Sequence, residues 1–334
     1  MDLDILNSWL AKNNLPKYRF SQITKNYFSA KYLNFNEMTD LPKTLRTQLD
    51  QNIKLLSVKE ENLISSPHTQ KALLRLFDNK LIETVLMDYG DWLTACISSQ
   101  VGCPLGCTFC ATGKMGFIRN LTSEEIIDQI IYWNQKLYPK YIGRLVFMGM
   151  GEPFLNWDNL LSSIDTINNK NGLNIGARKI SISTAGVADK IIQFADLKTQ
   201  INLAVSLHSA NQQNRQKIMP IAKKYPLEEL KKASQYFAQT TNRQIFFEYA
   251  LIDGFNDSAK DIEDLKDFFS NNHLFYLNLI PLNPIKGGLV PSSTSSIKHF
   301  TQLLDRTNIN YSIRRSFGQS IGAACGQLAT QHLD

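Results

Sequence analysis

From residue 92 onward the sequence predicts an α/β fold whose parallel strands close into a barrel or part of one, or form an open, doubly wound sheet. Three observations predict it. Short apolar runs alternate with longer amphipathic stretches in six strand-then-helix units, and that alternation implies parallel strands joined by right-handed crossovers. Five of the six strand candidates run directly into a cluster of cysteine, glycine or polar residues, at the strand end where a β/α barrel keeps its working groups. Ahead of residue 92 the periodicity is different, so the parallel sheet carries an addition.

That addition begins with a helical module over residues 1–54. Leu3, Leu6, Trp9 and Leu10 recur at helical spacing over 3–13 before Asn13-Asn14-Leu15-Pro16 breaks the pattern. A second helix is expected over 19–30, and Thr39-Asp40-Leu41-Pro42 reads as a cap and turn into a third at 43–52. The module holds eight Lys/Arg against five acids, so +3 of the net +6 lies there, interleaved with Tyr18, Phe20, Tyr27, Phe28, Tyr32 and Phe35. Such a mixture either grips phosphates and stacks bases or is a small aromatic core under a solvated lysine face. Residues 55–91 form a linking β segment, with alternation over 71–77 and 81–87 and a turn at Asp78-Asn79.

The main domain is expected to span 92–334. Its first unit is the strand Trp92–Ile97, the cysteine loop, and a helix opened by the capping box Thr122-Ser123-Glu124-Glu125. The other units pair a strand at 144–149 with a helix at 157–169, 179–183 with 187–195, 201–206 with 226–240, 244–251 with 258–270, and 276–280 with 293–306. Pro291-Ser-Ser-Thr-Ser-Ser296 reads as a short, mobile polar loop.

Composition sets the class. A chain of 334 residues that is 43% hydrophobic buries a large core. No apolar run approaches the ~20 residues of a membrane span, and Met1-Asp2-Leu3-Asp4 lacks the basic start of a signal peptide. A cytoplasmic protein is expected. Five cysteines, three of them clustered, do not make a secreted disulfide framework.

Cys103, Cys107 and Cys110 stand at Cys-x-x-x-Cys-x-x-Cys spacing, close enough to converge on one object without help from distant segments. Zinc wants four donors, so a zinc site would have to recruit Cys96, Cys325 or His208. A four-iron four-sulfur cluster held by three thiolates keeps one iron open for chemistry. Reduced structural thiols are the third reading.

The remaining clusters are weaker signals alone. Gly149-Met150-Gly151-Glu152-Pro153 suits close backbone approach with a carboxylate for an ammonium group, or is only a tight strand-end turn. His208 after an apolar strand is most simply a hydrogen-bonded structural histidine. Asn283 between two prolines serves a turn equally well. Cys325 lies among small residues that leave a thiol reachable, yet taken alone it reads more simply as a structural cysteine.

Taken together, the cysteine motif, Gly116-Phe117-x-Arg119-Asn120-Leu121, Phe147 to Pro153, Ser206-Leu207-His208, Ala323-Ala324-Cys325-Gly326-Gln327-Leu328 and Glu37-Met38-Thr39-Asp40 resemble the radical S-adenosylmethionine RNA methyltransferases known as RlmN, with Cfr as a close relative. The resemblance implies a six-stranded β/α partial barrel with an N-terminal helical accessory domain. It implies methylation of adenine carbon 2 in 23S ribosomal RNA, at the peptidyl transferase centre, and of the adenine next to the anticodon in transfer RNAs. Two S-adenosylmethionine molecules are consumed per methyl, and a flavodoxin-type reductant supplies the electron to a monomeric enzyme. Carbon 2 is electron-poor and cannot attack a methyl electrophile, so a radical route is needed.

By the same resemblance, Cys103, Cys107 and Cys110 hold one 4Fe-4S cluster. Cys325 carries the methyl group, and Cys96 attacks the Cys325 sulfur to release product as a transient disulfide. Glu83 is the proton acceptor, although a carboxylate alternating with apolar residues on a strand is ordinarily its wet face. Gly151 and Glu152 meet the cofactor's amino group, and Ser183, Ser206, Leu207, His208 and Asn283 hold the remainder. One departure stands out: Ser320 and Gly322 occupy positions where the family has acids before the cysteine, and less negative charge there would ease thiolate formation. The alternatives are Cfr-like methylation at carbon 8 and a zinc-stabilised RNA-binding protein without catalysis.

Overall fold

A computed structural model describes residues 1–314 and 316–329. Three helices come first, α1 (Leu3–Lys12), α2 (Tyr18–Phe28) and α3 (Lys43–Asn52). Each turns one stripe inward: Leu6 and Leu10, Ile23 and Tyr27, Leu45 and Leu49 are buried at i, i+4 spacing. The expected side-chain cap on α3 is absent, since Pro42 holds the cap position. Asp40 instead turns back to accept from Asn26 Nδ2 at 2.8 Å.

Next come β1 (Val58–Ser66), β2 (Thr69–Leu76) and β3 (Leu81–Asp88), an antiparallel addition with its second turn at Asn79, as expected. Strand β1 was not foreseen, because Lys59-Glu60-Glu61-Asn62 is polar and a bulge between Glu60 and Asn62 breaks the alternation.

The barrel then runs through β4 (Leu93–Cys96), β5 (Gln100–Gly102), the single turn α4 (Ala111–Lys114), β6 (Phe117–Asn120), α5 (Ser123–Leu137) and β7 (Arg144–Phe147). It continues with α6 (Trp157–Asn168), β8 (Ile180–Thr184), α7 (Ala188–Asp196), β9 (Asn202–Ser206), α8 (Gln212–Ile218) and α9 (Leu227–Thr241). It ends with β10 (Ile245–Leu251), α10 (Ala259–Phe269), β11 (Phe275–Pro281), α11 (Thr294–Leu304) and β12 (Tyr311–Ile313).

One sheet unites these parts in the order β1-β2-β3-β4-β7-β8-β9-β10-β11-β12, parallel from β4 onward. The six predicted strands form its centre, and the three-residue β12 extends the parallel edge beyond them. Such a short strand carries no periodicity to read. The capping box at Thr122 and Glu125 is present. Pro291–Ser296, expected to be a mobile loop, is tied down instead: Pro291 bridges Ile252, Ser292 Oγ donates to Asp257 at 2.7 Å, and Ser293 caps α11. Asp128 on α5 anchors the helical module to the barrel, accepting from the Tyr27 hydroxyl and from the Ser57 N–H at 2.6 Å. Among the described residues, no helix is long and apolar enough to cross a membrane.

Candidate active site

The cysteine loop hangs between β5 and β6, which pair as a hairpin apart from the main sheet. Glycine is obligatory at its base: at Gly102 (φ +75°) an added Cβ would lie 1.9 Å from the Gly116 carbonyl oxygen. The Cys103 N–H donates to that oxygen at 2.8 Å, and the Thr108 N–H donates to Ile218 O at 3.0 Å, fixing the loop against the end of α8. Cys103, Cys107 and Cys110 all line the cavity at the C-terminal ends of the barrel strands.

Burial pushes the Cys103 thiol up to about 12, and burial with the neighbouring cysteines pushes Cys107 higher still. Thiols so raised ionise readily only beside added positive charge, which bound iron supplies. Among the described residues, no three His, Cys, Asp or Glu side chains converge tightly enough for a single metal ion. A cubane, by contrast, asks each thiolate to bind a different iron. The donor set therefore fits a 4Fe-4S cluster better than zinc.

Opposite the cysteines stands the loop after β7. Gly151 (φ +100°) leaves no room for a side chain, since a Cβ would sit 2.5 Å from Gln100 Cβ. Glu152 is buried, its carboxylate accepting from Ala185 N at 2.6 Å and Phe154 N at 3.0 Å. Burial raises it to about 7, against the pull of those two N–H groups. His208 is buried in a left-handed conformation (φ 52°), its ring packed edge-to-face with Phe109 at 4.5 Å between centroids. Burial, with Arg215 nearby, lowers it to about 3. The ring is thus neutral. Its Nδ1 accepts from Ala250 N at 3.0 Å, which assigns the proton to Nε2 as a donor.

Ser183, Ser206, Asn283, Gly151 and Glu152 line this same cavity. Leu207 does not. Its side chain is wholly buried in the core and its carbonyl accepts from Arg215 Nε at 3.2 Å.

A second cavity adjoins the first, lined by Met87, Tyr89, Cys96, Phe317, Leu328 and others. Cys325 lines both. It is solvent-accessible, yet desolvation raises its pKa, because the surface it exposes opens into these chambers. Arg314, paired with Glu248 at 3.2 Å, opposes the rise and Glu248 adds to it. In this chain, with uncharged Ser320 and Gly322, the charges acting on Cys325 thus come from the barrel. Cys96 is buried and raised to about 12, first by desolvation and then by Cys325.

The tail carrying Cys325 is held along its length. Ala111 N donates to Gly326 O at 2.7 Å, Thr112 Oγ1 to Leu328 O at 2.6 Å, and Asn283 Nδ2 to Cys325 O at 3.1 Å. Glu83 belongs to the same clamp. It is 2% exposed, not on a wet face: it pairs with Lys71 at 2.9 Å and accepts from Ala329 N at 2.8 Å. Strand β3 is covered on both faces, so alternation did not report exposure.

Sequence reasoning missed Lys71, Glu248, Arg314 and Arg215. Lys71 and Glu248 had one usable signal, a charge inside an apolar strand, which must find a partner when buried. Arg314 and Arg215 had none.

Comparison with known proteins follows the same division. Residues 97–269 match the Radical SAM superfamily, and residues 1–55 match the ribosomal RNA large subunit methyltransferase N-terminal domain. A Clostridium novyi protein called probable dual-specificity RNA methyltransferase RlmN is 40% identical over 99% of this chain and 97% of its own. A protein of the same description from Alkaliphilus oremlandii is 46% identical over 90% of this chain and 88% of its own. The crystal structure of a radical SAM methyltransferase from Sphaerobacter thermophilus superposes with a TM-score of 0.93, at 38% identity, over 99% of this chain and 98% of that one.

Proposed function

Because the chain belongs to the RlmN family of radical SAM RNA methyltransferases, we propose that it methylates carbon 2 of adenine in 23S ribosomal RNA and in transfer RNA, with Cys325 as the methyl carrier. The enzyme is an RNA methyltransferase that uses a 4Fe-4S cluster and S-adenosylmethionine. The observation that carries the finer reading is the place of Cys325, on the wall shared by the cavity of Cys103, Cys107 and Cys110 and the cavity of Cys96.

When bound, the cluster supplies one electron, and S-adenosylmethionine supplies both the methyl group and the radical which that electron releases. Cys103, Cys107 and Cys110 hold the cluster. Glu152, ionised, receives the cofactor's ammonium, and the two N–H groups that already fix its oxygens aim it. The His208 Nε2–H donates into the cavity, and Ser183, Ser206 and Asn283 bound the remaining space.

Cys325 would take the methyl carbon on its sulfur as the cofactor's own sulfur–carbon bond breaks, and would present it to the base from the second cavity; after loss of one hydrogen atom to the cofactor-derived radical, that carbon bonds to carbon 2, whose hydrogen leaves as a proton while one electron returns to the cluster. Cys96, deprotonated, then attacks the Cys325 sulfur: the S–S bond forms as the sulfur–carbon bond breaks, its electron pair passing to the carbon, which takes a proton and leaves as the methyl group of the product. Glu83 is the proposed proton acceptor. Its carboxylate is engaged by Lys71 and the Ala329 amide, so accepting a proton loosens one of them and with it the tail.

The helical module is proposed as the RNA-binding accessory domain, 1–54, joined by the β segment 55–91 to the barrel, 92–334. Tyr27 and Phe35 are core, whereas Tyr18 lies exposed with Arg19 over its ring at 4.8 Å. Binding there weakens as salt rises. A monomer in the cytoplasm, reduced by a flavodoxin-type donor, completes the proposal.

Mass mapping of the methylated adenine, in 23S and transfer RNA incubated with purified enzyme, tests it. Carbon 2 supports the assignment; carbon 8 moves the enzyme to Cfr-like chemistry.

A further inference from the structure

Helix α8 carries a cation that the reaction as described does not use. Arg215 is completely buried. Its Nε donates to Leu207 O at 3.2 Å, and Nη2 donates to Ala185 O at 2.7 Å and Ser206 O at 3.1 Å. Nη1 is buried with no partner. Among the described residues no carboxylate pairs with it, although a charge taken out of water ordinarily demands one.

The geometry indicates what the charge answers. Ile218, one turn further along α8, accepts from the amide of Thr108, the residue after Cys107. Ile218 and Met219 pack with Leu105, Cys107 and Ala185 in a small apolar cluster beneath the cysteine loop. Ala185, whose carbonyl accepts from Arg215 Nη2, packs in that same cluster with Cys107, so the unpaired cation is tied to the layer on which Cys107 rests. Three thiolates outweigh the charge of an oxidised cubane core, so the bound cluster is an anion. Adding an electron deepens that charge. A fixed cation behind one ligand, in a water-poor setting, stabilises the reduced form more than the oxidised form.

We propose that Arg215 is the buried counter-charge of the iron-sulfur cluster and raises its reduction potential, easing the one-electron reduction on which turnover depends. The inference rests on the cluster assignment made above. Hydrogen bonding and charge are separable here. Lysine keeps the charge without the guanidinium fork that reaches three carbonyls, and glutamine keeps some hydrogen bonding without the charge.

The test is a dithionite potentiometric titration of anaerobically reconstituted full-length protein, followed by electron paramagnetic resonance of the reduced cluster and normalised to iron content. Arg215→Gln is expected to move the midpoint to more negative potential, and Arg215→Lys to leave it near the wild-type value. The proposal is overturned if the glutamine variant titrates with wild-type protein, or if the lysine variant falls as far as glutamine, which would make the arginine a hydrogen-bonding stitch. Should glutamine abolish cluster binding, the lysine variant decides alone: a wild-type midpoint supports the charge, and a lowered one overturns it. Wild-type protein that accepts no cluster defeats the underlying assignment instead.

Discussion

The two cavities share Cys325 yet differ in the groups that interrupt their largely apolar walls. In the first, two titratable groups are locked by backbone partners: Glu152 by two N–H groups, His208 by the Ala250 N–H. The second is mostly apolar and aromatic, with Tyr89 stacked on Trp92 at 5.7 Å and meeting the edge of Phe317 at 4.8 Å. On the proposed reading, the first chamber orients a charged cofactor. The proposal gives the second chamber the thiol pair, and desolvation raises both thiols above their ordinary range. The proposal has both kinds of chemistry act on one atom, the sulfur of the cysteine on the shared wall.

If the chambers divide the work this way, the largest effect belongs to that wall. Cys325→Ala should reduce methylation to background while leaving the brown cluster in the first chamber, measured by methyl incorporation and visible absorbance of the same preparation. Full turnover by that variant would end the carrier role. Cys96→Ala touches only the second chamber and should trap a covalent protein–RNA adduct, read as a shifted gel band under turnover conditions. Absence of the band removes Cys96 as the resolving thiol.

The clamp outside both chambers should show in stability. Lys71→Met strands the buried Glu83 carboxylate and is expected to cost about 3–5 kcal/mol in denaturant unfolding. Adding Glu83→Gln should recover much of it. Equal losses in the single and double variants would mean the pair is not coupled.

A somewhat smaller effect separates the chambers by pH. Burial raises the Glu152 carboxyl from 4.5 to about 7, so the fold favours its protonated form. That stabilisation is full below about 4.5 and is lost as pH rises through about 7. Glu152→Gln should remove roughly 3 kcal/mol of pH dependence across this window in protein free of cofactor. A parallel pH profile for wild type and variant would show that the carboxyl is solvated.

Much of the architecture was legible because it rests on local periodicity. Leu6 and Leu10 on α1, the capping box of α5 and the alternating units of the barrel announce their elements within a few residues of one another. Strand β1 was hidden by its polar residues and bulge, and β12 by its length. The cysteine spacing marked a metal loop by itself. Glu83, Lys71, Glu248 and Arg314 were opaque as a set, because their meaning lies in partners 12 to 66 residues away across the sheet.

By itself the sequence determined the alternating α/β pattern, the helical module and the three-cysteine loop, since each follows from side-chain spacing along a short stretch of backbone. Only the tertiary structure decided that Leu207 turns into the core, that Glu83 is clamped by Lys71 and the tail, and that Cys325 stands between two chambers. The physical reason is burial. Desolvation and pairing depend on which distant elements close over a group, and no local run of residues encodes that.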